Sequence, residues 1–382
     1  MSDTSDREKA VRAALAKVID PELGRPITEL NMVKGVTVAD DGAVGVDIYL
    51  TTAACPKKAE ITEKVRLAVA DVPGTGVVTV TLDVMSDEQR TELRKQLRGD
   101  NGLSAEPVIP FAQPGSLTRV YAVASGKGGV GKSTVTVNLA AALAARGMAV
   151  GIVDADIYGH SVPRMMGTAD RPTQVESMIL PPIAHEVKVI SIAQFTQGNT
   201  PVVWRGPMLH RALQQFLADV FWGDLDVLLL DLPPGTGDVA ISVAQLVPAA
   251  EILVVTTPQV AAAEVAERAG AIALQTRQRI VGVVENMSGL LLPDGSTLAV
   301  FGEGGGQQVA ERLSRAVGAE VPLLGRIPLD PELVAAGDSG VPLVLSAPDS
   351  APGRELRAVA DRLAVRRRGL AGMSLGLDPA GR

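Results

Sequence analysis

The chain contains the octapeptide Gly126-Lys127-Gly128-Gly129-Val130-Gly131-Lys132-Ser133, which fits the phosphate-binding loop pattern G-x-x-x-x-G-K-[ST]. The apolar run Val120–Ala124 precedes it, and an alanine-rich helical stretch, 134–146, follows. This strand–loop–helix order is the context that the pattern requires, so we interpret the octapeptide as a P-loop. Glycines let several backbone N–H groups point inward, and the helix start adds its positive dipole end. The sequence therefore predicts a nucleoside triphosphate site.

Individual side chains of the loop have separate predicted roles. Lys132 would neutralise the β- and γ-phosphates, and the Ser133 hydroxyl would ligate Mg²⁺. Lys127 is a second lysine, additional to the ordinary pattern. The residues predicted to bind the nucleotide here are Gly126, Lys127, Gly128, Gly129, Val130, Gly131, Lys132, Ser133 and Thr134.

Composition excludes several classes of protein. Apolar residues make up 46% of the 382 residues but aromatic residues only 3%, so the cores should consist of Ala, Val, Leu and Ile. A net charge of −7 argues against nucleic acid as the main partner. The single cysteine excludes an intrachain disulfide and fits a reducing compartment. Without a signal-peptide pattern or a long apolar run, we expect a soluble, cytoplasmic protein.

Periodicity divides the chain into four segments. Residues 1–98 predict a small α/β domain, 99–116 a linker with three prolines, 117–365 a P-loop domain, and 366–382 a disordered tail. In the first segment we predict helices at 7–19, 57–72 and 87–97, and strands at 32–38, 43–50 and 76–84.

The P-loop domain alternates strand and helix patterns. Several strands are near-continuous Val, Ile and Leu runs, as expected for strands buried on both faces of a parallel sheet. We predict a doubly wound α/β fold with a mostly parallel sheet and the nucleotide at the carboxyl ends of its strands. The predicted strands are 120–124, 149–154, 187–192, 227–231, 251–256, 280–285 and 323–327.

Three aspartates are predicted to serve the nucleotide. Asp231 ends an apolar strand, as a Walker B residue does, and would hold Mg²⁺ through a water molecule. Asp154 and Asp156 also follow a strand, and we assign Asp154 to the metal and Asp156 to orienting the attacking water. Helix capping is the alternative role for these acids.

The Lys127-bearing loop resembles the deviant Walker A group of ATPases, which includes MinD and ParA. Within that group, residues 118–345 resemble the Mrp/ApbC family of iron–sulfur cluster carriers, and the front domain resembles the small iron–sulfur assembly domain often fused to them. The front domain matches at Asp20-Pro21-Glu22-Leu23 and at 50–56. The ATPase motifs are 154–159, Trp204-Arg205-Gly206-Pro207-Met208, 231–238, Glu285-Asn286-Met287-Ser288 and 301–306.

The resemblance implies a homodimer in which two ATP molecules face each other. Lys127 of one subunit would then contact the triphosphate bound by the other and stabilise its transition state, as an arginine finger does. Asn286 would read adenine, and the Ile327-Pro328 turn would line the base pocket.

The chain departs from the family in one segment. Family members that carry a cluster have a Cys-x-x-Cys shortly after the Asn-Met-Ser motif, but Leu292 and Gly295 stand at those positions. Residues 290–298 instead predict a β-hairpin whose turn is Pro293-Asp294-Gly295. Iron–sulfur clusters typically require four thiolates, and two copies of this chain supply two.

Cys55 is the remaining candidate for an iron–sulfur ligand. It precedes Pro56, a favoured first helical residue, so a helix start could lower the pKa of the thiol and favour the thiolate. The alternative is a small buried apolar side chain, as free cysteines commonly are. Both interpretations remain open at this point.

Other residues give weaker signals. His160, His185 and His210 are not at metal-ligand spacing. Trp204 belongs to a motif, but its character favours a packing role. Residues 354–368 predict an amphipathic helix, and its weak apolar face favours packing on the domain over a membrane surface.

Two functions fit these observations. The first is a cytoplasmic, homodimeric, Mg-ATP-dependent ATPase that binds iron–sulfur clusters and transfers them to apoproteins or assists their assembly. The second is a metal-free, ATP-switched adaptor of the MinD/ParA type, which the missing Cys-x-x-Cys favours. Nucleic-acid partitioning is disfavoured by the acidic charge, and no stable membrane association is expected.

Overall fold

The computed structural model describes residues 2–364, apart from 53–54, 56, 99–107, 157–158, 169, 176–177, 196–205, 236 and 260–261. The described residues form a small three-stranded sheet near the amino terminus and a larger sheet, each with its own core. The predicted tail and the Trp204-Arg205 part of a motif lie outside the described residues.

The amino-terminal domain packs three helices with a three-stranded sheet. Strand β2 is antiparallel to β1 and parallel to β3. Its buried residues alternate with partly exposed ones, because successive side chains of a strand point to opposite faces. All six predicted elements are confirmed, although the first helix ends four residues before its predicted end at residue 19. The elements are α1 (Ser2–Leu15), β1 (Val33–Val38), β2 (Val44–Leu50), α2 (Lys58–Ala70), β3 (Val78–Val84) and α3 (Asp87–Arg98).

Part of the predicted linker is built into the core of the P-loop domain. A short 3-10 turn spans Pro110–Ala112, and Phe111 within it and Ile109 just before it are both buried. The Phe111 ring meets Trp222 edge to face, with centroids 6.4 Å apart. The prolines of this segment suggested a linker, so the sequence analysis missed that Ile109 and Phe111 pack in the core.

The larger sheet is mostly parallel and has nine strands within the described residues. Its order is β13-β12-β11-β4-β10-β5-β9-β8, with β14 parallel to β12 and antiparallel strands β13 and β8 at the margins. All seven predicted strands are confirmed. The strands are β4 (Arg119–Ala124), β5 (Val150–Asp154), β8 (Ile183–Ala184), β9 (Val187–Ser191), β10 (Val227–Asp231), β11 (Glu251–Thr256), β12 (Ile280–Leu291), β13 (Thr297–Leu298) and β14 (Leu323–Leu329).

Helices cover both faces of this sheet, which confirms the doubly wound prediction. One apolar cluster joins the sheet to α6–α9, and a second joins its opposite face to α4 and α10–α12. These helices are α4 (Lys132–Ala144), α5 (Val162–Met165), α6 (Gly206–Ala218), α7 (Asp238–Leu246), α8 (Ala262–Thr276), α9 (Gly305–Val317), α10 (Pro331–Ser339), α11 (Leu343–Ser346) and α12 (Ala351–Ala364).

The sequence did not predict a small hairpin that touches the amino-terminal domain. Its strands are β6 (Thr173–Val175) and β7 (Met178–Leu180). Val175, Met178 and Leu180 belong to the same buried cluster as the core of the amino-terminal domain. The hairpin is therefore a contact between the two domains.

Helix α12 packs on the P-loop domain, as its weak apolar face predicted. Leu356, Val359 and Leu363 are fully buried, and the hydroxyl of Tyr121 donates to the carbonyl of Leu363 at 3.0 Å. Within the described part of the chain, no helix combines the length and apolar character needed to cross a membrane.

We predict that Gly151→Ala destabilises the P-loop domain by about 1–3 kcal/mol through overpacking. A β-carbon at position 151 would lie 2.7 Å from the Trp222 ring and 2.9 Å from Leu225. The free energy of unfolding is measured by urea denaturation. Gly270→Ala is the control, because its β-carbon would meet side-chain atoms only at 3.4–3.5 Å. Equal stability of the two variants would contradict the prediction.

Candidate functional site

A cavity of about 450 Å³ opens at the carboxyl ends of the central strands, beside the loop between β4 and α4. Ligands of doubly wound folds bind at this edge of the sheet, and the volume suits a small-molecule site. All the residues predicted to bind the nucleotide line the cavity except Gly126, which is buried and not part of the lining. Those lining it are Lys127, Gly128, Gly129, Val130, Gly131, Lys132, Ser133, Thr134, Asn286 and Pro328.

The backbone of the P-loop is suited to an anion. Gly129 and Gly131 have φ angles of 77° and 78°, which favour glycine. Gly131 is the N-cap of α4 and supplies no side-chain cap, so the first-turn N–H groups face the cavity without a side-chain acceptor. A β-carbon on Gly131 would also lie 2.2 Å from Asn286 Nδ2. Both the angle and the close approach require glycine there.

A buried ion pair stands beneath the loop. Lys132 Nζ lies 2.7 Å from Asp231 Oδ1, and the two side chains are 6% and 1% exposed. The hydroxyls of Thr136 and Ser133 donate to Asp231 Oδ1 and Oδ2 at 2.9 and 2.6 Å. A buried ion pair is tolerated only when further hydrogen bonds satisfy its remaining atoms, as they do here. Thr136 was missed from the sequence, although it lies one helical turn beyond Lys132.

The same residues fit Mg²⁺. The metal prefers oxygen ligands and keeps several waters, and Ser133 places a hydroxyl on the cavity wall with the Asp231 carboxylate directly behind it. Ser133 would hold the ion, and Asp231 would contact it through water.

Asp154 has different partners from those expected of a metal ligand. It is fully buried and outside the cavity lining. One carboxylate oxygen accepts from the Asp156 N–H at 3.2 Å, and the other accepts from the Val162 N–H and the Ser191 hydroxyl. Burial, and then the charge of Asp231, raise the pKa of Asp154. This geometry agrees with the capping alternative, at the start of α5, and metal ligation by Asp154 stays a prediction.

Asp156 lines the cavity, as its predicted role in orienting water requires. Its carboxylate also accepts from the Gly159 N–H at 3.0 Å, which closes a turn. The structure therefore places Asp156 at the site and gives it a local capping bond as well.

Lys127 lines the cavity, but its ammonium group donates to Gln259 Oε1 in the loop after β11. It therefore does not occupy the place of Lys132, which lies beneath the phosphate-binding backbone. The neighbouring Gly126 carbonyl accepts from Arg268 Nη1 at 3.2 Å, so the start of the loop is tied to α8.

Asn286 presents an acceptor for which the described residues supply no donor. Its Nδ2 donates to the Val130 carbonyl at 2.9 Å, while its buried Oδ1 has no hydrogen-bond partner in the described part of the chain. Met287 next to it has a φ of 59°, an uncommon angle for a non-glycine residue. Buried polar atoms are nearly always hydrogen-bonded, so this orphaned oxygen fits a ligand that donates.

Two helices without sequence motifs complete the cavity wall. Arg164 and Met165 come from α5, and Leu333 and Asp338 come from α10. Arg164 and Asp338 form an exposed ion pair at 2.9 Å, which joins the two helices. No local pattern marked these residues, because only the tertiary fold brings α5 and α10 to the P-loop.

The predicted hairpin at 290–298 is confirmed. Leu290 pairs with Leu298 and Leu291 with Thr297, and Gly295 turns the chain with a φ of 83°. Residues 292 and 295, where the family has cysteines, belong to this hairpin and supply no thiol.

Cys55 is a buried, protonated thiol. It is 4% exposed, and its Sγ–H donates to Glu22 Oε2 at 3.3 Å. Burial, and then the charge of Glu22, raise the pKa of Cys55 to about 12, although the Lys57 N–H at the start of α2 acts in the opposite direction. The interpretation of Cys55 as a low-pKa thiolate is thus corrected, because burial outweighs the helix start.

Metal-ligating clusters are not found among the described residues, where no three His, Cys, Asp or Glu side chains converge. His185 Nε2 instead lies 3.0 Å from the Gly340 carbonyl. The three histidines thus show no metal-site arrangement within the described residues.

The P-loop, its buried Lys132–Asp231 pair and the mostly parallel sheet define a P-loop NTPase. Residues 116–364 match the sequence model of the ParA family described as the NUBPL iron-transfer P-loop NTPase, and residues 8–82 match that of the iron-sulfur cluster assembly protein. Because the first match covers more than half of the chain, the chain belongs to the NUBPL iron-transfer P-loop NTPase family. Both parts of the predicted resemblance are confirmed.

Similar proteins extend along the whole chain. A protein of Mycobacterium tuberculosis (strain ATCC 25618 / H37Rv) is 81% identical over 384 residues, covering 100% of both chains. A protein of Synechocystis is 39% identical and covers 93% of this chain and 96% of its own. Both are named iron-sulfur cluster carrier protein. A nucleotide-binding protein of Archaeoglobus fulgidus, solved with ADP, is 38% identical with a TM-score of 0.50 and covers 58% of this chain and 86% of its own.

We predict that Asp154→Asn changes how stability depends on pH. The folded pKa of Asp154 is raised, so its stabilising contribution is present below the ordinary aspartate pKa and is lost as pH rises through the folded value. The variant cannot ionise there. Wild-type stability should therefore fall relative to the variant by about 1 kcal/mol or more between about pH 4 and pH 7. Urea denaturation of the nucleotide-free protein measures this, with exposed Asp71→Asn as the control. Parallel pH profiles would refute it.

Proposed function

We propose that the chain is a cytoplasmic, homodimeric, Mg-ATP-dependent ATPase that binds iron–sulfur clusters and transfers them to target apoproteins. The observation that carries the proposal is the buried network of Lys132, Ser133 and Asp231 beneath a glycine-rich loop. The relatives that match along nearly their whole length are named iron-sulfur cluster carrier protein, and this name supports the proposal that the chain binds clusters. The single, free cysteine fits a reducing compartment.

Adenine is the base that the cavity favours. The amide of Asn286 is oriented by its bond to the Val130 carbonyl, so its orphaned Oδ1 is an acceptor. The amino group of adenine is a donor, whereas a base with a carbonyl at that position would leave the acceptor unpaired. A buried unpaired acceptor costs about 1–3 kcal/mol. Pro328 and Met287 line the same cavity and supply apolar surface for the base.

The position of Lys127 supports hydrolysis across a dimer. Its ammonium group lies on Gln259, whereas Lys132 occupies the phosphate side of its own loop. A second lysine held at the rim is available to the triphosphate of a second subunit, where it would stabilise the charge of the transition state. Asp156, which lines the cavity, would orient the attacking water.

The cluster is cargo for this protein, and its own thiols are few. A homodimer carries one Cys55 per chain, whereas clusters typically take four thiolates. We therefore propose that external thiols complete the ligand set when Cys55 takes part.

A metal-free adaptor is the second candidate. The hairpin with Leu292 and Gly295 in place of thiols favours it. In that case ATP binding would switch dimerisation and the surface presented to partner proteins, without metal.

Substitution of the two lysines of the loop should affect different measurements, turnover for Lys127 and nucleotide affinity for Lys132. Lys127→Ala should retain nucleotide affinity and lose about 10³-fold in turnover, because its role is in the transition state. Lys132→Ala should weaken ADP binding about a hundredfold, since it removes the group beneath the phosphates and leaves the Asp231 charge buried and unpaired. Calorimetry and phosphate release measure the two effects, with Lys17→Ala as the surface control. Equal loss of affinity in both variants would overturn the assignment across the dimer.

Anaerobic reconstitution with iron, sulfide and a small external thiol tests whether the chain binds a cluster. The carrier proposal predicts a stable visible absorption band and bound iron, both lost in Cys55→Ser. Serine retains a hydroxyl donor for Glu22, so this variant should keep its fold and its ADP affinity. A wild-type protein that stays colourless while hydrolysing ATP would favour the adaptor.

A further inference from the structure

A hydrogen-bonded chain of three side chains crosses the boundary between the two domains. Cys55 Sγ–H donates to Glu22 Oε2 at 3.3 Å, and the hydroxyl of Thr173 donates to Glu22 Oε1 at 2.9 Å. Cys55 and Glu22 belong to the amino-terminal domain, and Thr173 belongs to hairpin β6–β7 of the P-loop domain. One carboxylate therefore uses one oxygen for the thiol and the other for the neighbouring domain.

The surroundings of this chain are closed to water. Glu22, Cys55 and Thr173 are 9%, 4% and 8% exposed. The hairpin residues Val175, Met178 and Leu180 and the nearby Phe221 join the apolar core of the amino-terminal domain. A buried carboxylate needs donors, because removing it from water without them is unfavourable. The Thr173 hydroxyl is thus a polar contact beside these apolar residues.

The loop that carries the Glu22 carboxylate is also fixed by contacts within the amino-terminal domain. Asp20 Oδ1 accepts from the N–H groups of Glu22 and Leu23, at 2.9 and 2.7 Å, and so fixes the loop that carries Glu22. Asp20 is itself 2% exposed. Because this loop is anchored within the amino-terminal domain, withdrawal of the hairpin would remove Thr173 while leaving Glu22 and Cys55 together and newly hydrated.

We propose that the docking of hairpin β6–β7 is a gate on the Cys55 thiol: the thiol is closed while Thr173 bonds Glu22 and becomes reactive when the hairpin withdraws. The gate deepens the proposed function and rests on it, since Cys55 is the one thiol that the chain can offer to a soft metal. Thiols react as thiolates, so hydration of the site increases the rate as well as the access.

The hairpin is placed where the nucleotide site could act on it. The segment that begins at Asp156 lines the cavity through Ser161, Arg164 and Met165, and Thr173 follows Met165 by eight residues. Hairpin β6–β7 therefore follows closely in the chain after α5, the helix that forms part of the cavity wall.

The single cysteine makes the test direct, because every labelled thiol is Cys55. The full chain is treated with a maleimide at fixed neutral pH, and the labelling rate is followed by mass. Thr173→Val keeps the shape of the side chain but leaves Glu22 Oε1 without its donor, which should increase the rate about tenfold. Thr173→Ser restores the donor and should label at the wild-type rate.

Thr168→Val is the matched control. Thr168 is also buried and lies five residues before Thr173, but its hydroxyl has no hydrogen-bond partner in the described part of the chain. The same substitution there should leave labelling unchanged. Wild-type labelling rates in Thr173→Val would overturn the gate, as would equal acceleration in Thr168→Val.

A measurement on the wild-type protein covers the case in which Thr173→Val fails to fold. Labelling is followed at rising urea concentrations below the global transition. A gate predicts that labelling accelerates there with a smaller urea dependence than global unfolding, because undocking exposes less surface. Labelling that tracks global unfolding would overturn it. Neither labelling assay involves iron. A colourless reconstitution would therefore overturn the carrier proposal without bearing on the gate, which the labelling rates test separately.

Discussion

The buried pair of Lys132 and Asp231 is the interaction on which the rest of the P-loop domain depends. Two charges inside an apolar sheet are unfavourable unless they meet each other and their remaining atoms are hydrogen-bonded. The hydroxyls of Ser133 and Thr136 satisfy Asp231, and the parallel register of β10 with β4 brings the acid beneath the loop. Bound phosphate would compete with Asp231 for Lys132, and Mg²⁺ would compete with it for the Ser133 hydroxyl. The same network thus stabilises the free protein and prepares the site.

Much of the fold could be predicted because its signals are local. Buried parallel strands such as β10 are continuous apolar runs, and the P-loop needs glycine at Gly129 and Gly131 for reasons that the backbone alone determines. The hairpin at 290–298 was likewise predicted from its Pro-Asp-Gly turn. These features depend on a few neighbouring residues, so a single sequence is enough to find them.

The missed parts of the site depend on contacts between distant residues. Thr173 meets Glu22 across 151 positions, and β6 and β7 have three residues each, too few for a period to be seen. Asp154 was predicted to serve the metal because it ends a strand, whereas the hydrogen bond that it accepts from the Val162 N–H appears only in the folded chain. For Cys55 the helix start was the visible local signal, and the larger effect, burial against Glu22, appears only in the folded chain.

The scarcity of thiols has a consequence for any carrier role. Two copies of the chain supply two Cys55 thiols, which cannot fill four thiolate positions. A cluster held this way would have open positions for thiolates of the recipient, and exchange of ligands would then be the transfer itself. Such a loosely held cargo has to be kept from premature release. A thiol that is buried against a neighbouring domain is inert until that domain moves, and in this chain the hairpin that covers the thiol follows α5, which lines the nucleotide cavity.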